Sequence, residues 1–147
     1  MYKTILVPID IAEEELTEMV IPHVKGLANN EDCKIHFLAV LPGMPGFFYY
    51  ASLGITLAPQ LPSVEEMTQF TNLQLKEIID KFGLPEANVT QHVVVGSAKD
   101  EILRFSDEIK ADLIVMSAHK PDASTYLLGS TTATVVRHAT TSVMVVR

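Results

Sequence analysis

Leu127-Leu128-Gly129-Ser130-Thr131-Thr132 runs directly into Ala133-Thr134-Val135-Val136-Arg137-His138-Ala139. A glycine leads into hydroxyl residues and then into a short helical pattern. The first N–H groups of a helix have no partner within it, and the dipole makes that end attractive to anions. Glycine lets a ligand approach the backbone closely, and Ser or Thr adds hydroxyl donors. Just upstream, Asp112-Leu-Ile-Val-Met116 reads as a buried strand. Open α/β sheets bind nucleotides where a strand feeds such a loop.

Working outward, five short runs are rich in Val, Ile and Leu: residues 4–9, 34–41, 89–95, 113–116 and 142–146. Continuous apolar runs of this length suit strands covered on both faces, as in parallel sheets. Helical patterns lie between them. Residues 13–28 place Leu16, Met19, Val20, Val24 and Leu27 on one face. Residues 63–82 do the same with Val64, Met67, Thr71, Leu75, Ile78 and Phe82, and residues 98–109 with Ile102, Phe105 and Ile109. Residues 131–138 turn Val135 and Val136 inward. Pro8-Ile9-Asp10, Gly83-Leu-Pro85 and Gly96-Ser97 punctuate the joins. The alternation predicts a doubly wound α/β sheet with helices on both faces.

The chain has 147 residues, which suits one domain, 1–147, with a real core. Hydrophobic content is 48% and the net charge is −7, which argues against disorder and against binding to nucleic acid or an anionic membrane. The lone cysteine, Cys33, excludes an internal disulfide framework and fits a reducing cytoplasm. The opening Met1-Tyr-Lys-Thr-Ile-Leu-Val enters a strand at once, without the architecture of a signal peptide. A cytoplasmic location is therefore expected. Residues 42–62, with four prolines, three glycines and Phe47-Phe48-Tyr49-Tyr50, are too long for an ordinary join and too apolar for a disordered linker. They read as a surface excursion packed by its own aromatics, or as a flap or partner contact beside the crevice.

Asp10 ends the first strand, where a carboxylate can accept from a ribose hydroxyl or hold a metal; it can equally cap the next turn. Pro8 and Ile9 offer an apolar wall, and Val40, at the end of the second strand, offers backbone groups to a base or simply packs. Ser117-Ala118-His119-Lys120 follows the fourth strand, so His119 and Lys120 can meet phosphate oxygens. Gly129, Ser130, Thr131 and Thr132 close the site, although a Gly-Ser turn before a helix is also an ordinary cap. His36 and His92 fall within strands and read as packed residues. Glu13-Glu-Glu15 reads as helix-start charge. There is no Gly-x-Ser-x-Gly elbow, no Gly-x-x-x-x-Gly-Lys loop, and no convincing carboxylate pair. The last strand, Ser142–Val146, is apolar and expected at a sheet edge, where a two-fold homodimer would cover it.

The opening Tyr2-Lys-Thr-Ile-Leu-Val-Pro-Ile-Asp10 and the ending Leu127-Leu-Gly-Ser130, Val135-Val-Arg-His-Ala139 and Ser142-Val-Met-Val-Val146 resemble the universal stress protein family. Gly96-Ser-Ala-Lys-Asp-Glu-Ile102 is similar to that family's mid-chain loop. The resemblance covers the whole chain and is nearest to the small bacterial single-domain types, the F type first and the G type behind it. It implies a five-stranded parallel sheet of order 3-2-1-4-5 (the adenine nucleotide alpha hydrolase-like fold), a homodimer through the last strand, and often bound ATP; the metal that Asp10 can hold would then be magnesium. It implies a binding protein and stress-response regulator rather than an efficient enzyme. Pro8, Ile9, Asp10 and Val40 would surround adenosine; Met116, Ser117, His119, Lys120, Gly129, Ser130, Thr131 and Thr132 would surround ribose and phosphates. The family's ATP-binding loop reads Gly-x-x-Gly, nine residues, then Gly-Ser or Gly-Thr. Here Ser117 and Lys120 replace the two glycines and the spacing is one residue short. An interaction module without nucleotide, or a slow ATPase or phosphotransferase using Asp10 and Lys120, are the rival expectations.

Overall fold

The computed structural model describes residues 1–29, 31–42, 63–118 and 129–147. Most of the 42–62 segment, and His119 and Lys120, lie outside the described residues. Among those described, five strands alternate with four helices. They are β1 (Thr4–Pro8), α1 (Glu14–Leu27), β2 (Lys34–Leu41), α2 (Val64–Asp80), β3 (Val89–Val95), α3 (Ala98–Glu108), β4 (Leu113–Ser117), α4 (Ser130–His138) and β5 (Ser142–Val146). The strands pair in parallel in the order β3-β2-β1-β4-β5. The all-parallel sheet and its order are as expected. A single 3-10 turn, Glu86–Asn88, leads into β3 and has no signature in the hydrophobic pattern.

Period-two alternation divides the strands between two cores. Ile5, Val7, Ile35, Phe37 and Ala39 face Val20 and Val24 of α1 and Leu75, Ile78 and Ile79 of α2. Leu6, Leu38, Ile114 and Met116 face Ile102 and Phe105 of α3 and Val135 of α4. Both faces of the central strands β1, β2 and β4 are covered, which explains their apolar runs; the edge strands β3 and β5 are mostly half-buried. Two inward assignments are corrected. Val64 is 56% exposed because it lies at the first position of α2, beyond the sheet contact, and Val136 is 45% exposed because one turn of α4 presents only Val135 to the sheet. Cys33 is fully buried in the first core, and that burial pushes its thiol above its ordinary pKa. Among the described residues no helix is long and apolar enough to cross a membrane.

β1 is anchored at its start by Asp112. Its carboxylate accepts the Lys3 and Thr4 N–H groups at 2.8 and 2.9 Å, and these bonds hold its pKa below the usual carboxylate range. The central strand is thereby fixed against β4 at the end opposite the crevice.

His36 on β2 and His92 on β3 form a pair, with His36 Nδ1 3.2 Å from His92 Nε2 and the rings 13° from parallel. Phe105 of α3 packs over both rings. An N–H···N bond needs one shared proton, so a doubly charged pair cannot keep it. Burial lowers both pKa values; the His92 charge lowers His36 further, and Glu108 of α3 partly offsets the effect on His92. Because the folded pKa values lie below the unfolded one, the pair's stabilisation is complete above about pH 6.5 and is lost as pH falls below it. The melting temperature should therefore drop as pH falls below about 6.5, and the His36→Leu/His92→Leu double variant should drop less. Equal drops in calorimetry would show that the pair does not titrate with folding.

Candidate functional site

The chain departs from β1 toward β2 and β3 on one side and is completed by β4 and β5 on the other. The carboxyl ends of β1 and β4 are therefore the switch point at which open α/β sheets form a crevice. A cavity of about 610 Å³ lies there, within the range of small-molecule sites. It is bounded by Pro8, Ile9 and Asp10 after β1, Val40 of β2, Met116 and Ser117 of β4, and Gly129, Ser130, Thr131 and Thr132 at the start of α4. Ten of the twelve expected residues thus share one cavity; the other two, His119 and Lys120, lie outside the described residues.

The α4 end is built for an anion. Gly129 has φ 78° and ψ 152°, a region open essentially to glycine alone. The turn it makes delivers the chain into α4 with the Ser130, Thr131 and Thr132 N–H groups free of intrahelical acceptors. Ala133 N–H closes the first turn onto the Gly129 carbonyl at 3.0 Å. Thr132 donates its hydroxyl to the Ser117 carbonyl at 3.3 Å, locking the helix start to the end of β4. α1, α2 and α3 each carry two acidic residues in the first turn, whereas α4 carries none. Its first turn therefore sets no carboxylate of its own against the positive end of its dipole.

The other end is apolar and edged by backbone. Ile9 N–H donates to the Leu38 carbonyl at 2.8 Å, and Gly96 N–H donates to the Leu41 carbonyl at 2.8 Å. Successive peptide groups point to opposite sides of a strand, so Val40 N–H and C=O are aimed to the β1 side, past the last β1 bond. They are available to the edge of a planar ligand, as the position of Val40 suggests in the sequence. Asp10 Oδ1 accepts the Ala12 N–H at 3.0 Å. The carboxylate therefore does cap its turn, and its second oxygen remains for the cavity. Among the described residues no three His, Cys, Asp or Glu groups gather as a metal site.

Leu16 of α1, Thr71 of α2, and Ala98 and Ile102 of α3 also line the cavity. Sequence reading places these four in helix patterns as core or cap residues. Hydrophobic periodicity marks a face that is covered, and does not distinguish covering by protein from covering by a ligand.

An open, doubly wound α/β sheet with a crevice at its switch point, edged by a helix N-terminus, is the architecture in which nucleotide-type ligands are generally held. Within that class, the chain belongs to the universal stress protein family, whose model matches residues 1–147. It is 38% identical over 149 aligned positions to universal stress protein G of Escherichia coli O157:H7, covering all of both chains. That relative is of the G type, the second of the two types that the chain ends resemble. Among solved structures it is similar to a universal stress protein in complex with cAMP (22% identity, 99% and 97% of the two chains, TM-score 0.66). It is also similar to the universal stress protein of Archaeoglobus fulgidus in complex with dAMP (22% identity, 99% and 98%, TM-score 0.65). At that identity the likeness is one of fold.

Proposed function

We propose that this chain, as one domain, binds ATP or another adenine nucleotide in the switch-point cavity and acts in the cytoplasm as a dimeric stress-response regulator. The observation that carries this reading is the single cavity joining the first-turn N–H groups of α4, which have no acceptor within the helix, to the apolar, backbone-edged pocket at the ends of β1 and β2. A phosphate chain suits the first and a purine the second. The relatives bound to cAMP and dAMP share an adenine base, which favours adenine here. Pro8, Ile9 and Val40 would hold the base, and Asp10 the ribose or a magnesium ion. Since no metal cluster forms around Asp10 among the described residues, magnesium would take ligands from phosphate oxygens and water. Met116, Ser117, His119, Lys120, Gly129, Ser130, Thr131 and Thr132 would hold ribose and phosphates.

Among the described residues, β5 lies at the sheet edge and pairs only with β4. A second copy joined through Ser142–Val146 would cover that edge; sedimentation as a monomer at micromolar concentration would exclude this arrangement. The nucleotide reading is tested by thermal shift. Millimolar ATP with magnesium should raise the melting temperature, and mass spectrometry should find nucleotide carried through purification. Neither effect would leave the interaction module, to which Ser117 and Lys120 in place of glycines already point, as the better description.

A further inference from the structure

Thr71 enters the cavity from α2 and is only 3% exposed. One turn earlier on the same helix, Thr68 donates its hydroxyl to the Val64 carbonyl at 2.7 Å. Thr71 makes no such bond, and no hydrogen bond of its hydroxyl exists among the described residues. Yet no fully enclosed side-chain oxygen or nitrogen among them lacks a partner. The Thr71 hydroxyl therefore keeps contact with solvent, and the solvent space that Thr71 lines is the cavity. This is a nearly buried, unpartnered polar group opening onto the binding site.

Its place in the cavity gives it a role. Leu75, one turn further along α2, packs in the core that contains Phe37 and Ala39 of β2. Thr71 thus stands over the carboxyl end of β2, on the opposite face of the sheet from α4. The start of α4 is tied to the end of β4, which is two strands from β2 across β1. Two strand spacings are roughly 10 Å, the scale of a nucleoside. With phosphates on α4, the base is carried to the end of the cavity that Thr71 lines together with the apolar side chains of the first core face.

We infer that the Thr71 hydroxyl hydrogen-bonds the polar edge of the bound base and sets a preference for bases that carry an amino or carbonyl group there. The inference rests on the nucleotide reading. A hydroxyl both donates and accepts, so Thr71 does not separate amino from carbonyl edges. It discriminates both from an edge without a polar substituent, which would leave the hydroxyl unpaired in an apolar wall.

The test is calorimetric binding of ATP and of purine riboside 5′-triphosphate, which lacks the 6-amino group, to wild type, Thr71→Val and Thr71→Ser. Wild type should prefer ATP by more than the about three- to tenfold that one ordinary hydrogen bond supplies, because the Val40 backbone also meets the base edge. Thr71→Val, equal in shape but without the hydroxyl, should bind ATP weaker by about three- to tenfold and show a preference reduced by the same factor, the remainder belonging to Val40. Thr71→Ser should retain the preference, separating loss of the hydroxyl from disturbed packing. Unchanged ATP affinity in Thr71→Val, or an unchanged preference, would overturn the inference while leaving the nucleotide site standing. Failure of wild type to bind either ligand would overturn the nucleotide reading and this inference with it.

Discussion

Gly129→Asp protein is expected to show at least about a hundredfold weaker binding of ATP, and so no thermal shift with millimolar ATP and magnesium. Two effects act together. At φ 78° and ψ 152° the backbone of residue 129 occupies a conformation that costs a side-chain-bearing residue about 1–3 kcal/mol. The new carboxylate also stands at the start of α4, where the phosphates are held. Like charges about 4 Å apart repel by about 4 kcal/mol at an effective dielectric constant near 20, which alone corresponds to roughly a thousandfold. Gly129→Ala separates the two contributions. It carries the backbone cost without the charge, and should melt earlier than wild type yet keep measurable affinity. Equal ATP affinity in Gly129→Asp and wild type would remove α4 from the site.

The largest effect on stability is expected at Phe37, in the middle of β2. Phe37 is fully buried and meets Phe82 edge to face, with ring centroids 4.8 Å apart and planes at 65°. Truncation to alanine leaves a cavity beneath α2 that the rigid parallel sheet cannot collapse to fill, and should cost about 3–5 kcal/mol. Against a total of about 5–15 kcal/mol for a domain of this kind, that brings the variant near the edge of folding. Urea denaturation should show a lower midpoint at similar slope. A loss below about 1 kcal/mol would mean that the core repacks more freely than a close-packed interior allows. The double-mutant cycle with Phe82→Ala should return about 0.5–1.5 kcal/mol of coupling, the part owed to ring geometry rather than burial.

Legibility in the sequence followed the physics of each feature. β2, β3 and β5 were readable to the residue: β2 as a largely buried apolar run, β3 and β5 as edge strands whose ends are marked by the turn residues around them although most of their residues are only half-buried. The ends of α1 and α2 were less well fixed. Glu13 and Ser63 both look like helix residues by charge and spacing, and only the cap geometry puts them outside. The site was legible where chemistry is tied to backbone position: Asp10 at a strand end, Gly129 before a helix. It was illegible where position depends on packing in three dimensions. Thr71 fits a helix face with Leu75 and Ile78, and nothing in its spacing says that α2 leans over the crevice there. The His36–His92 bond was equally hidden, since strand patterns place each residue on a face but do not give the register between strands.

The tie between Asp112 and the Lys3–Thr4 backbone has a consequence for synthesis. β1 is made first and lies in the centre of the sheet, yet the partner on one of its sides begins 108 residues later in the chain. At about 5–20 residues per second, one flank of that apolar strand is without its native neighbour for roughly 5–20 s on the ribosome. The nascent β1-α1-β2 unit is then a candidate client for holding factors that engage exposed strand edges, and the emergence of residue 113 is the moment at which that need ends.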